Sequence, residues 1–206
     1  MAHKPLRIAV TGFPGTGKTS LVKALGEKFD LPVIEENMLP IARAERQIAL
    51  AHIQNRQRDI PALRINLIEE FKQWDTDRTS LYKKAGGFVA DRWELDLLDW
   101  WLVRFGLDRN NMDALTHRFL HNFKEKAKTF DLVVVTPTRM FSQRPNEQGN
   151  RRSSSFTAQM LSEAITAGLM QTQVDVPILR LPDKPLSVEQ RVDLVRLHVE
   201  EARIGG

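Results

Sequence analysis

Residues 12–19 read Gly-Phe-Pro-Gly-Thr-Gly-Lys-Thr, and this stretch constrains the chain more than any other. It fits the pattern G-x-x-x-x-G-K-[ST], and its setting fits as well. The apolar run Leu6–Val10 ahead of it predicts a short buried strand. The segment Ser20–Phe29 behind it places Leu21, Val22, Leu25 and Phe29 on one helical face. Strand, glycine loop and helix form the context in which such a loop cradles phosphate. Gly12, Gly15 and Gly17 allow a tight backbone whose N–H groups approach phosphate oxygens. A helix N-terminus adds partial positive charge there. Lys18 can reach the β- and γ-phosphates, and the Thr19 hydroxyl can ligate Mg²⁺. Gly12, Gly15, Thr16, Gly17, Lys18, Thr19 and Ser20 are therefore the expected nucleotide contacts. The plain alternative is a glycine turn between strand and helix that holds no ligand. The spacing in its setting implies that the chain binds a nucleoside triphosphate.

Apolar runs downstream of the loop predict how the rest is layered. Leu31–Ile34 is a second such run, ending at Glu35-Glu36. From Met38 to about Lys84 the sequence is polar-rich and helical, with Ile41, Ile48, Ile53, Leu63, Leu67, Ile68 and Phe71 near helical spacing. Pro61 is placed to start a helix. Phe88-Val89-Ala90 predicts a third strand that delivers Asp91-Arg92. Trp93–Phe105 and Met112–Phe123 predict amphipathic helices. Leu132–Val135 is the clearest buried strand, followed by a polar loop, 138–154, and a helix over 156–171. A last strand near Pro177–Leu181 and a helix over Ser187–Arg203 close the chain. Apolar strands alternating with helices predict a parallel sheet covered on both faces. The 206 residues are expected to form one domain (1–206). Residues 38–85 are expected to be its helical acceptor-binding region, and 138–154 its arginine lid.

Parallel sheets present ligands at the carboxyl ends of their strands, so the residues just after each strand carry the chemistry. Glu35 or Glu36 can take a proton from an attacking hydroxyl or hold a sugar hydroxyl; an ordinary acidic turn is the alternative. Asp91 can help neutralise a triphosphate beside Mg²⁺, and Arg92 can orient an acceptor or stabilise transferring charge. The alternative for Asp91 is a helix cap ahead of Trp93, contributing about 1 kcal/mol. Arg139–Arg152 holds four arginines against one acid, Glu147. Phosphoryl transfer needs positioning and positive charge more than covalent chemistry. Arg144, Arg151 and Arg152 are thus catalytic candidates, and Arg139 is a nucleotide contact. Trp74, Trp93, Trp100 and Trp101 are expected mostly in the core or an acceptor pocket. His117 and His121 stand four apart with no third ligand to join them, so no metal site is expected there.

Composition excludes several classes. With no cysteine there is no disulfide, thiolate catalysis or cysteine-ligated metal. No apolar window is long enough to cross a membrane, and Met-Ala-His-Lys-Pro runs directly into the first strand without a signal segment. A cytoplasmic protein is expected. The formal charge of +4 and pI of about 9.5 are compatible with an anionic substrate or with DNA, and neither is demanded.

These residues together resemble the P-loop kinases of small molecules. The likeness is to the deoxynucleoside and thymidylate kinases, and to the AAA-like group that includes ribosylnicotinamide kinase. It rests on Gly12–Thr19, on Phe-Val-Ala-Asp-Arg at 88–92, on the arginine loop, and on a closing strand before Val188-Glu189-Gln190-Arg191-Val192. The resemblance implies a three-layer P-loop NTPase sandwich with a five-stranded parallel sheet in the order 2-3-1-4-5. It also implies ATP and Mg²⁺, Asp91 and Arg92 serving metal and acceptor, and Glu35 or Glu36 as base. Trp93 follows Asp-Arg where nucleoside kinases usually have Ser and thymidylate kinases Tyr or His, so the acceptor stays open.

The leading expectation is a kinase moving the γ-phosphoryl group of ATP to a hydroxyl or phosphate of a nucleoside-like acceptor. A variant has the same chemistry on a hydroxymethylated base, of the 5-hydroxymethyluracil type, within phage DNA. A different class is an NTP-hydrolysing switch or motor. No Asn-Lys-x-Asp motif is present, and Thr136-Pro137 stands where an AAA-type motor would place an acidic pair. Oligomeric state is left open, a dimer included.

Overall fold

The computed structural model describes residues 5–105, 113–137, 164–171 and 175–204. In chain order the elements are β1 (Arg7–Thr11), α1 (Lys18–Phe29), β2 (Val33–Ile34), α2 (Leu39–Ile53), a 3-10 turn (Gln57–Asp59) and α3 (Ile60–Lys84). They continue with β3 (Phe88–Asp91), α4 (Glu94–Phe105), α5 (Asp113–Ala127) and β4 (Leu132–Val135). The helical residues 164–171 (α6), β5 (Ile178–Arg180) and α7 (Val188–Ile204) complete the set. Residues 1–35 with 86–206 cluster as one unit, and residues 36–85 cluster as a second.

The first unit is built on a five-stranded sheet in the order β2-β3-β1-β4-β5, with every neighbouring pair parallel. This is the expected order. Register matters for the site, because Val10 of β1 lies opposite both Asp91 of β3 and Val134 of β4. The segments that leave β1, β3 and β4 therefore reach the carboxyl edge of the sheet at one level. Chain connections diverge between β1 and β4, the kind of switch point at which open sheets bind ligands.

Alternation along the strands sorts the two faces. Ile8 and Val10 join Leu21, Val22 and Leu25 of α1 and Val192, Val195 and Val199 of α7 in one core. Phe88 turns to the other face, where its ring meets Phe130 edge-on at 5.9 Å, and Trp93 packs on both Phe130 and Phe123. Trp101 packs against Phe119 of α5 and donates Nε1 to Thr116 Oγ1 at 2.9 Å. Trp93 and Trp101 are thus core residues, one of the two places expected for them. The second strand is shorter than the apolar run Leu31–Ile34 suggests. Asp30 in the left-handed region and the bond from Leu31 N to Gly26 O end α1 with a turn that consumes Leu31.

In the second unit α2 and α3 bury Ile41, Ala44 and Ala51 and Leu67, Phe71 and Trp74. Pro61 stands in the first turn of α3, as expected. The apolar spacing does not carry through to Ile53, which is 79% exposed at the end of α2. Two charged residues, Asp75 and Arg78, are buried on α3 instead. The Arg78 guanidinium lies over the rings of Trp74 and Tyr82 and donates Nε to Tyr82 Oη at 3.1 Å. Trp74 Nε1 donates to Glu36 O at 2.9 Å.

Among the described residues, no helix is long and apolar enough to cross a membrane.

Candidate active site

The loop after β1 is held from several sides at once. Gly12, Gly15 and Gly17 all have positive φ, 137°, 87° and 81°. At Gly12 a Cβ would lie 2.2 Å from Thr136 Oγ1, so the loop closes directly onto the residue that follows β4. Thr136 N donates to Thr11 O at 2.9 Å, and its hydroxyl lies 2.7 Å from Thr16 Oγ1 and 3.1 Å from Thr11 O. Thr16 Oγ1 in turn reaches Phe13 O at 2.9 Å. Thr16 and Thr136 are both buried, and a buried hydroxyl chain of this kind fixes backbone because each unmade bond is costly.

Phe13 O also accepts from Lys18 Nζ at 2.9 Å. Pro14 comes next, and its ring-fixed φ stiffens the backbone at that carbonyl. Gly17 is the N-cap of α1, with no side-chain cap and no acid in the first turn. The amide donors of that turn are therefore left for an anion. Among the described residues, nothing lies within 4 Å of a Cβ position on Gly15. This cradle, with Lys18 inside it, fits a polyphosphate.

The register of β1 and β3 brings the next residues to the same edge. Thr19 Oγ1 donates to Asp91 Oδ2 at 2.7 Å. At the start of α4, Asp96 accepts from Trp93 N through Oδ2 at 3.1 Å. Its other oxygen holds Arg92 Nη1 at 2.9 Å. Asp96 is thus committed to both neighbours. Arg92 itself sits at φ 66° and donates its N–H to Val10 O at 3.0 Å. A non-glycine residue in that region costs on the order of 1 kcal/mol or more, and here the buried ion pair and the strand bond hold it there.

Glu35 and Glu36 follow β2, the first exposed and the second partly buried. Ser20 is exposed on the first turn of α1. Arg139, Arg144, Arg151 and Arg152 lie outside the described residues, as does most of the 138–154 loop. Among the described residues, no group of three or more His, Asp or Glu side chains is placed to hold a metal ion.

Two site residues were not anticipated. Thr136 could have been found as the polar residue that ends the strongest apolar strand. Arg191 donates Nη1 to Thr16 O at 3.2 Å and is buried. Its signal was a cation at helical spacing between Val188 and Val195, on a face otherwise apolar.

We expect Thr136→Val to lower unfolding stability by about 1–2 kcal/mol in urea titration, because the Thr16 hydroxyl and Thr11 carbonyl lose a buried partner. A change below about 0.5 kcal/mol would show that the hydroxyl chain does not hold the loop.

Residues 7–191 match the family model described as an AAA domain. No curated protein matches the sequence. Among solved structures, the chain is similar to deoxyadenosine kinase from M. mycoides with bound dATP, at 17% identity and a TM-score of 0.65, covering 95% of this chain and 100% of that one. It is similar to thymidylate kinase from Candida albicans, at 13% identity and 0.59, covering 97% and 93%. It is also similar to the NadR protein in complex with NR, at 16% identity and 0.58, covering 94% of this chain and 51% of that one. The chain belongs to the AAA-domain family, and it carries its glycine loop on the fold of the P-loop kinases.

Proposed function

We propose that this protein is a kinase that moves the γ-phosphoryl group of ATP to a hydroxyl, or a phosphate, of a nucleoside-like acceptor. The observation that carries this reading is the 2.7 Å contact between Thr19 Oγ1 and Asp91 Oδ2. It brings the hydroxyl beside the loop lysine against the carboxylate delivered by β3, at the mouth of the phosphate cradle. Hydroxyl and carboxylate oxygens are the hard donors that Mg²⁺ takes together with substrate phosphates, so Thr19 and Asp91 would hold that ion. Bound there, magnesium would neutralise part of the charge on the triphosphate.

The chain's own groups do the remainder. Amide hydrogens of the loop and the Lys18 ammonium bind the phosphates. Arg92, aimed by Asp96, orients the acceptor, and Glu35 or Glu36 accepts the proton of the attacking hydroxyl. Arg144, Arg151 and Arg152 supply charge to the moving group, with Arg139 on the nucleotide. Residues 38–85 select the acceptor. The dATP in the similar deoxyadenosine kinase supports a nucleoside-class acceptor.

A second reading places the acceptor hydroxyl on a hydroxymethylated base in DNA. Exposed Arg43 and Arg46 on α2, and Arg58 in the 3-10 turn, favour it, because exposed cations are what a phosphate backbone binds.

The deciding experiment is transfer of labelled γ-phosphate to a panel of nucleosides, nucleotides and DNA duplexes containing 5-hydroxymethyluracil. Labelled product on a free nucleoside or nucleotide supports the first reading, and salt-sensitive labelling of duplex supports the second. ADP released at the same rate with and without acceptor would indicate a hydrolase and count against both. With the acceptor in hand, replacing Glu35 and Glu36 singly by Gln should give one loss of turnover of about 10²-fold and one small effect. Equal, small effects would move the base elsewhere.

A further inference from the structure

The helix that closes the chain reaches back to the phosphate loop through a single buried cation. Arg191 is 6% exposed, and its Nη1 donates to Thr16 O at 3.2 Å. The same nitrogen lies 3.1 Å from where a Cβ on Gly17 would stand. The guanidinium therefore lies against the Thr16–Gly17 peptide, one residue before Lys18. A trans peptide points its C=O and the following N–H in opposite directions. Holding the Thr16 carbonyl toward Arg191 turns the Gly17 N–H away from it. The guanidinium also sets a fixed positive charge behind the loop, in surroundings where charge is poorly screened.

The helix that carries Arg191 is itself well fixed. Ser187 and Gln190 cap it reciprocally, with Ser187 N donating to Gln190 Oε1 at 2.9 Å and Gln190 N to Ser187 Oγ at 3.2 Å. The Ser187 hydrogen bond also holds the Glu189 carboxyl below its ordinary pKa. Val192, Val195 and Val199 are buried in the core shared with α1 and β1. The arginine thus starts from a rigid base, which is what positioning requires.

We propose that Arg191 is a positioning residue for nucleotide binding: from α7 it holds the Thr16–Gly17 peptide in the orientation that presents Gly17 N–H to the polyphosphate. This role rests on the phosphate-cradle reading and extends it to a residue far away in sequence.

The test is calorimetry of Mg-ATP and of magnesium tripolyphosphate on wild type, Arg191→Met and Arg191→Lys, each with a thermal melt. Arg191→Met should weaken both probes by a similar factor, about tenfold or more, the scale of one charged hydrogen bond. Arg191→Lys should fall between it and wild type, since the ammonium keeps the charge and loses the planar fork. A merely structural role would lower the melting temperature and leave the affinity of the folded protein unchanged. Arg191→Met that folds and binds both probes within twofold of wild type overturns the assignment while leaving the cradle intact. If Arg191→Met does not melt cooperatively, Arg191→Lys decides: weakening of threefold or more supports the role, and less than twofold overturns it. Absence of Mg-ATP binding by wild type would overturn the cradle and this role together.

Discussion

Replacing Lys18 by alanine should lower phosphoryl transfer by about 10³-fold while the protein stays folded. The expectation comes from where the lysine stands. Its Nζ is inside the loop, 2.9 Å from Phe13 O, on the first residue of α1, so under the proposed function this buried cation would stand where charge develops. Losing a preorganised donor to such charge typically costs 10²–10³ in turnover, and Lys18 contributes a full charge as well. The stability cost should be small by comparison, about 1 kcal/mol for the hydrogen bond to Phe13 O. Steady-state assays and a thermal melt on the same sample separate the two. Turnover within tenfold of wild type would remove Lys18 from the phosphate site.

Asp91→Asn should be nearly as damaging, about 10²-fold in turnover, with an increased magnesium requirement. The amide oxygen can still accept from Thr19 Oγ1, so the local hydrogen bond survives and the negative charge does not. A metal role depends on that charge, whereas a structural role depends on the hydrogen bond. Titrating Mg²⁺ against rate distinguishes them. A variant that loses stability but turns over near normally, with an unchanged magnesium midpoint, would make Asp91 a structural partner of Thr19.

Much of the frame was readable from residue order. Ile8 and Val10, Val89, and Leu132–Val135 are apolar strand segments, and the glycine loop between β1 and α1 gave the site its place. The strand order required the resemblance to P-loop kinases, because apolar runs do not state which strand lies beside which. What stayed hidden depends on contacts distant in sequence. Thr136 meets Thr16 across 120 residues and Arg191 meets Thr16 across 175, and neither pairing leaves a periodic signal. Asp96 was not singled out at the start of α4 for a local reason. Asp91 and Asp96 both flank Trp93, and only the fold shows that Asp91 meets Thr19 across 72 residues while Asp96 takes the Trp93 N–H. In residues 36–85 the helical spacing was legible, while burial of Asp75 and Arg78 was not, because patterning treats charged residues as surface. Ile53 shows the converse, an apolar residue left exposed where its helix ends.

The central claim is that the loop from Gly12 to Thr19 grips the phosphates of a nucleotide. Calorimetric titration of wild type and Lys18→Ala with magnesium and ATP, repeated with GTP, tests it most directly. Saturable one-to-one binding of at least one nucleotide to wild type, weakened at least tenfold by Lys18→Ala, is the predicted result. No binding of either nucleotide to the wild type, or equal affinity in the two proteins, would contradict it.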